Sequence, residues 1–569
     1  MKSIFTAEHA KANDFYTVFD THIPQSRLIE LAAGAVLERL QMGEYNLQAP
    51  CILCGSGNNG ADGMALACML KERGTDVKIL YLGKLYEMPQ EEKKSKKKKD
   101  ESESVEIDPA LIGKPNTQEM SEQCQAFYKK ALEAGIEVLT TLPQITAMDA
   151  LEELAKKNTK KSKKGSEEPI EEVVPVVEPL SYSLFVDAVY GTGLHDDIAY
   201  ALVCKVFDLI NQSGIPVVAV DIPSGVYCDT GKVDAHALRA IETVTMQNDK
   251  AGILLYPGAD YAGKITVADI GIVSDPNFNG MRVLGLEDED VQKLLPARPV
   301  RSCKGTFGRV LVVAGAPGMA GAAYLAAMGA YRMGAGLVEI LTHAQNRIIL
   351  QQLLPEAVVT TYDKKNVSKK VKACVPGADA IVIGCGIGKS KVAQKLLKAV
   401  LKKASAPCVI DADALNLIAK KPALLKGMHK KVKPGVIITP HAAEAARLLG
   451  KKNIQTAQVL ENIPLAAEQL IAKYQVNVLL KDTRTLICSQ DLQKRYVNLS
   501  GSTALATAGS GDILAGMIGG LAAAQTCTQT ICTTAALAAY LHGKAGEKAE
   551  QAVGAHTAMA RDILDGLKK

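Results

Sequence analysis

Tryptophan is absent from these 569 residues, and aromatic side chains make up only 4% of them. Surfaces that bind single-stranded nucleic acid stack bases on aromatics interleaved with cations, so the basic runs of this chain lack the company such a surface needs. No run of 18 apolar, charge-free residues occurs, which excludes a conventional membrane-spanning helix. Residues 1–20 hold Glu8, Asp14 and Asp20 among few positive charges, an acidity foreign to signal and transit peptides. Metal-ligand cysteine pairs are missing as well. Of thirteen cysteines the one C-x-x-C, Cys51 with Cys54, runs along an apolar strand and reads as reduced and core-facing. A cytoplasmic chain with no nucleic-acid or membrane partner is expected.

The net charge of +5 owes much to two local runs, Lys93 to Lys99 and Lys156 to Lys164, each flanked by acidic residues such as Asp100, Glu101, Glu167 and Glu168. Like charges at that density resist burial, so both are expected to be solvated loop insertions, at about residues 90–108 and 155–178. Elsewhere apolar, β-branched strands alternate with amphipathic helices. Val77–Leu82, Leu184–Val189 and Val217–Asp221 each run into polar or glycine-bearing turns. Near-continuous apolar strands separated by helices imply α/β architecture with a parallel sheet covered on both faces, and ligands then gather at the strand carboxyl ends.

Three turns fit that position. The first, Cys54 to Gly63, carries Asn58, Asn59 and Asp62 among glycines between an apolar strand (residues 49–53) and a helix expected from Met64. Glycines there let backbone N–H groups approach an anion at a helix start. The second joins Asp187 to Gly191-Thr192-Gly193-Leu194-His195-Asp196-Asp197, and the third is Asp221-Ile222-Pro223-Ser224-Gly225.

These residues, G-S-G-N-N-G-A-D-G, D-A-V-Y-G-T-G, D-I-P-S-G and T-V-T followed by Lys250, resemble the NAD(P)H-hydrate epimerase family over roughly residues 10–275. The resemblance implies a Rossmann-like three-layer sandwich. It also implies that Asn58, Asn59, Gly60, Ala61, Asp62, Gly191 to Asp197 and Asp221 hold a hydrated nicotinamide nucleotide, with Asn59, Asp187 and Ser224 around a potassium ion. Its substrate bears a hydroxyl and a nitrogen on one ring carbon, and epimerises by reversible cleavage and re-addition, for which one positioned acid/base group suffices. Asp187 is the candidate for that group; the alternative is a carboxylate held only as a cation ligand. Ala61 stands where that family usually has glycine, which is tolerable if φ is negative there.

A boundary falls at Ile272 to Asn277, giving domains 1–278 and 279–569. Strand-to-turn junctions then recur at Gly384 to Gly388, Asp411 to Asn416 and Thr439 to His441. Gly384 to Ser390 ends like a phosphate loop, but the Walker pattern needs glycine where Ile383 stands. Gly509-Ser510-Gly511-Asp512 precedes a helix and offers an anion hole beside a base, although capping of the helix by Ser510 or Asp512 explains it equally well in isolation.

In company, K-G-T-F-G, A-G-A-P-G-M-A-G-A-A, G-C-G-I-G, D-A-D-A-L-N, T-P-H and A-G-S-G-D resemble the ADP/ATP-dependent NAD(P)H-hydrate dehydratases of the ribokinase-like superfamily, over about residues 285–567. That likeness implies a second three-layer sandwich. Ala322, Gly388 and His441 would contact the hydrated dinucleotide, Asp512 would bind it and act as base, and Lys481, Asp482, Thr483, Arg484, Thr485 and Gly511 would hold ADP or ATP with Mg²⁺. Asp482 replaces a usual glycine and would repel phosphates unless Arg484 or Mg²⁺ compensates. A bifunctional repair enzyme, forming homo-oligomers, is therefore expected: epimerisation in the first domain, nucleotide-dependent dehydration of the S hydrate to NADH or NADPH in the second. The competing readings are a ribokinase-like small-molecule kinase and a non-catalytic nucleotide sensor.

Overall fold

The computed structural model describes residues 1–86, 111–146, 148–149, 179–296, 298–432, 435–450, 455–524 and 529–568. Both expected Lys-rich insertions lie outside the described residues. The chain divides into two compact units, one of Phe5–Phe278, the other of Asn279–Lys569 together with Met1–Ile4.

In the Phe5–Phe278 unit seven parallel strands line up in the order Glu137–Leu139, Lys78–Tyr81, Pro50–Cys54, Leu184–Ala188, Val217–Val220, Glu242–Met246, Lys264–Ala268. The order reverses direction between Pro50–Cys54 and Leu184–Ala188, a topological switch point at which helices leave for opposite faces and a crevice opens. Both of these strands are buried along their whole length, as their unbroken apolar sequences require. Cys51 and Cys54 lie wholly inside, and all twelve described cysteines are free.

One expectation about the first turn is corrected. Its helix begins at Asn58, not Met64, and runs to Glu72, so Asn58 to Asp62 form the first helical turn and only Gly55 to Gly57 remain as linker. Gly60 and Gly63 explain the early start. A β-carbon on Gly60 would come within 2.0 Å of the Gly55 carbonyl, and one on Gly63 within 2.7 Å of Ala188 Cβ. Their missing side chains let the helix press against the sheet. Ala61 sits inside this helix at negative φ and fully buried, where a methyl group brings no strain.

The other unit holds an eleven-stranded sheet whose parallel core runs Asn477–Leu480, Val436–Ile438, Cys408–Ile410, Ala380–Ile383, Arg309–Val313, Leu337–His343, Val358–Tyr362. Strands Leu486–Cys488 and Lys494–Val497 continue it antiparallel, followed by Arg282–Gly285 and finally Lys2–Ile4. That last pairing departs from a simple division at residue 278. Ile4 is completely buried, and the Met1 ammonium reaches Asp290 Oδ1 at 2.6 Å, so the first four residues complete the edge of the second unit's sheet.

Helices Ala320–Arg332 and Ser510–Ala523 cross nearly backbone to backbone. A β-carbon on Gly516 would lie 1.9 Å from the Ala326 carbonyl, and one on Gly329 2.4 Å from that of Ile513. This close approach fixes the Ser510–Ala523 helix, from Ile513 onward, against the Ala320–Arg332 helix.

Candidate active sites

A cavity of about 500 Å³ opens at the switch point of the Phe5–Phe278 unit. Of the sequence-predicted residues, Asn58, Asn59, Asp62, Gly191, Thr192, Gly193, Leu194 and Asp221 line it. Gly60 and Ala61 are turned into the helix–sheet contact instead. His195, Asp196 and Asp197 are exposed beyond the cavity, and Asp197 accepts hydrogen bonds from Tyr227 Oη and Lys232 Nζ (2.8 Å).

Asp187 does not reach the cavity wall. It is fully buried, with Oδ1 accepting from Ser224 Oγ at 2.6 Å and from Val189 N–H at 3.3 Å, and Oδ2 from Ser224 N–H at 2.7 Å. Desolvation pushes its carboxyl up to about 6, against the lowering effect of these hydrogen bonds, and no cationic side chain contributes. Asn59 has a buried Nδ2 without a hydrogen-bond partner. A buried carboxylate without a counter-charge beside a hydroxyl suits an oxygen-coordinated cation of low charge, whereas the unpartnered Asn59 Nδ2 is a donor and calls for an acceptor.

The cavity's charged side chains are Asp14, Asp62, Asp221 and Lys250. Lys250 is buried and donates to Asp221 Oδ1, Thr245 Oγ1 (3.0 Å) and the Met246 carbonyl (2.7 Å). Asp221 takes a left-handed backbone, φ +68°, unusual for a non-glycine residue, which aims its carboxylate at this ammonium. Desolvation, then Asp221 and Asp14, hold the Asp62 carboxyl well above the ordinary carboxylate range. Asp14, exposed at the mouth, is pushed up to about 6 by desolvation and by Asp221, with Lys250 opposing. Sequence reasoning passed over Asp14 and quoted Lys250 only as part of a motif; one lies in an unremarkable helix, Ala7–Phe15, far from every glycine-rich turn.

The second site forms where Asp411, Lys481 and the start of the Ser510–Ala523 helix meet. Gly509, at φ +94°, precedes the helix, and no side chain caps it, so capping does not account for Ser510 or Asp512. Ser510 Oγ turns instead to buried His542 Nε2, 3.2 Å away, and desolvation lowers that imidazole to about 4. The open first turn leaves N–H donors free for an anion. Lys481 Nζ stands 2.8 Å from Asp411 Oδ1 and 3.4 Å from where a Gly511 β-carbon would be, which sets an ammonium beside the donors. Desolvation followed by Asp411 raises Asp512 to about 6, opposed by hydrogen bonding from Cys385 and by Lys481.

Cys385, Asp411 and Asp512 bring ligand atoms within 4.8 Å of one another, yet they do not make a magnesium cage: a thiol is soft, and Asp411 already holds Lys481. Gly388 N–H donates to Asp413 Oδ2 at 2.9 Å. Ala322 packs beside Gly386, its methyl 3.0 Å from a β-carbon built there. His441 caps helix Ala442–Leu449, with Nδ1 accepting from Ala443 N–H (3.2 Å) and Glu444 accepting from His441 N–H (3.1 Å). Desolvation and then Lys481 hold its imidazole below the ordinary histidine range. Arg484 does not compensate Asp482. Its guanidinium donates to the Leu499 carbonyl at 2.6 Å, and among the described residues no ion pair joins the two. Thr485 Oγ1 reaches the Asp482 carbonyl (3.2 Å), and Thr483 is exposed.

Comparison with known proteins agrees with this division. The family described as NAD(P)H-hydrate dehydratase matches residues 310–569, and the one described as YjeF-related protein N-terminus matches residues 25–126 and 101–252. The bifunctional NAD(P)H-hydrate repair enzyme Nnr of Moorella thermoacetica is 32% identical over 560 residues, 96% of this chain and 92% of that one. Its namesake from Coxiella burnetii is 30% identical over 96% of this chain and 95% of its own. Among solved structures, the ADP/ATP-dependent NAD(P)H-hydrate dehydratase of Bacillus subtilis, co-crystallized with ATP/Mg²⁺, is 32% identical over 49% of this chain and 95% of its own, with a TM-score of 0.42. With full-length relatives at this identity and both family signatures in order, the chain belongs to the bifunctional NAD(P)H-hydrate repair enzymes.

Proposed function

We propose that the Phe5–Phe278 unit interconverts the R and S hydrates of NADH and NADPH, and that the other unit dehydrates the S hydrate with ADP or ATP as phosphoryl donor. The observation that carries the division is Asp512, a base at an uncapped helix start with Lys481 alongside, in a unit separate from the switch-point cavity.

In the dehydratase unit Asp512 accepts the ring hydroxyl's proton as the oxygen takes the terminal phosphoryl group. First-turn N–H groups and the Lys481 ammonium stabilise the charge that gathers on the phosphate. Phosphate then departs with the C–O electrons while the ring nitrogen lone pair forms C=N, and loss of the neighbouring C–H proton restores the dihydronicotinamide. The nucleotide would bring Mg²⁺ as its counter-ion, to screen the phosphate charge; among the described residues Asp411 and Asp512 form no cage for it.

In the epimerase unit the cavity holds the hydrated nucleotide, and Asp187 serves as cation ligand. Sealing of both its oxygens away from the cavity favours that over acid/base work. Asn59, Asp187 and Ser224 would hold K⁺, which supplies the positive charge missing beside Asp187. A cytoplasmic setting fits the free cysteines; among the described residues no helix is long and apolar enough to cross a membrane. Self-association is proposed through Ile348, Ile349 and Leu353, exposed on helix Arg347–Leu353.

The test is NADH recovery, followed by absorbance, from mixed R and S hydrates with Mg²⁺, K⁺ and either nucleotide. Recovery beyond the S fraction, faster than spontaneous epimerisation, is expected. Recovery that stops at the S fraction would remove the epimerase reading, and a stable phosphorylated product would make the second unit a kinase.

A further inference from the structure

With Asp187 sealed away, the acid/base group for epimerisation must come from the cavity wall. Resting on the proposed epimerase reading, we infer that Asp14 is the catalytic acid of the epimerisation, and that the bond it breaks is the ring carbon–oxygen bond rather than the carbon–nitrogen bond.

Elimination among the wall residues singles out Asp14. Asp221 is tied to Lys250, whose ammonium spends its donors on Asp221, Thr245 and the Met246 carbonyl. Asp62 sits half-buried on the inner wall, in the first turn of its helix, farther from the mouth than Asp14's exposed position. Asp14 projects from helix Ala7–Phe15 at the mouth, is exposed, and its carboxyl makes no hydrogen bond among the described residues. An acid that recharges on every turnover needs contact with both substrate and solvent, and of the wall's three carboxyl groups Asp14 is the exposed one. Asp221, Asp62 and Lys250 are the charged groups facing it, with Tyr190 the remaining ionisable side chain on the wall.

The charge balance of the wall decides the bond. Asp221 is paired with Lys250 and the Asp62 carboxyl is held well above the ordinary range, so once Asp14 has given up its proton its carboxylate is the wall's unbalanced charge. Proton delivery from Asp14 to the hydroxyl oxygen lets the C–O bond break with its electrons leaving on water, while the ring nitrogen lone pair forms C=N⁺. Water re-adds to the opposite face and sheds its proton to solvent, from which the exposed Asp14 carboxylate is reprotonated, so atoms and charge balance. This route passes through a cation, which the Asp14 carboxylate left behind stabilises. Breaking the C–N bond would instead yield a neutral aldehyde and enamine, which a wall carboxyl could assist by shuttling a proton but which gain nothing from its charge.

The two routes differ in the fate of oxygen. The full chain, without nucleotide, is incubated with pure R hydrate in ¹⁸O-labelled water, and epimer ratio and mass are followed together. Label uptake at the rate of epimerisation is expected, with both processes lowered about 10²-fold or more in Asp14→Asn and partly restored in Asp14→Glu. Dehydration of pure S hydrate and hydrate binding by Asp14→Asn, measured alongside, show that the variant is folded and still loads substrate. Epimerisation without label would overturn C–O cleavage, and labelled epimerisation at the original rate in Asp14→Asn would overturn the residue. If the unaltered chain does not epimerise at all, the epimerase reading itself falls, and this inference with it.

Discussion

Replacing Asp512 by asparagine should strengthen the fold while abolishing dehydration. The carboxyl rises from its ordinary 3.8 to about 6, mainly through desolvation. At about 1.4 kcal/mol per pH unit, ionising it in place costs about 3 kcal/mol. Asparagine avoids that cost but forfeits the attraction between a carboxylate and the helix start, about 0.3–1 kcal/mol, leaving a gain of about 2 kcal/mol above neutrality. The sign follows from linkage: the folded state holds this proton more tightly than the unfolded chain, so the carboxyl's stabilising contribution is complete below pH 3.8 and lost as pH rises through about 6. Melting of the two proteins should therefore coincide near pH 4 and separate by several degrees at pH 7.5, the variant higher. Dehydration of S hydrate should fall about 10²- to 10⁴-fold, and the unaltered enzyme should lose activity below about pH 6 as Asp512 takes up a proton. Epimerisation should stay unchanged. A variant less stable at pH 7.5, or a stability difference that ignores pH, would refute the reasoning.

Potassium added to potassium-free protein should raise the melting temperature of the Phe5–Phe278 unit above about pH 6, where Asp187 is ionised, and not at pH 5; an effect independent of pH would remove Asp187 from the cation's ligands. Lys250→Met leaves Asp221 unpaired in the cavity wall and should cost about 3–5 kcal/mol in urea unfolding. Asp482→Gly removes a carboxylate that has no ion-pair partner among the described residues, so calorimetry should show tighter nucleotide binding; unchanged affinity would place the phosphates elsewhere. Ile4→Asp puts a charge into a fully buried edge strand and should shorten the heat-inactivation half-life of dehydration ahead of that of epimerisation; simultaneous loss would separate Lys2–Ile4 from the second sheet.

What the amino-acid sequence determined by itself was local. Apolar runs such as Cys51 to Leu53 and Val310 to Val313 identify buried parallel strands, because hydrophobic period is readable within a few residues. The glycine-bearing turns after them mark the strand carboxyl ends, and their motifs name the chemistry. Tertiary structure alone decided which side chains share an environment. Asp14, Asp221 and Lys250 are scattered over more than two hundred positions yet line one cavity, whereas Asp187, inside a turn that looked accessible, is enclosed by Ser224 and Val189. The helix start at Asn58 depended on Gly60 meeting Gly55, and the pairing of Lys2–Ile4 with Arg282–Gly285 joins the two ends of a 274-residue excursion, Phe5–Phe278. Burial and charge pairing arise from neighbours distant in the chain, so ionisation, sealing and edge completion become visible only once those neighbours are in place.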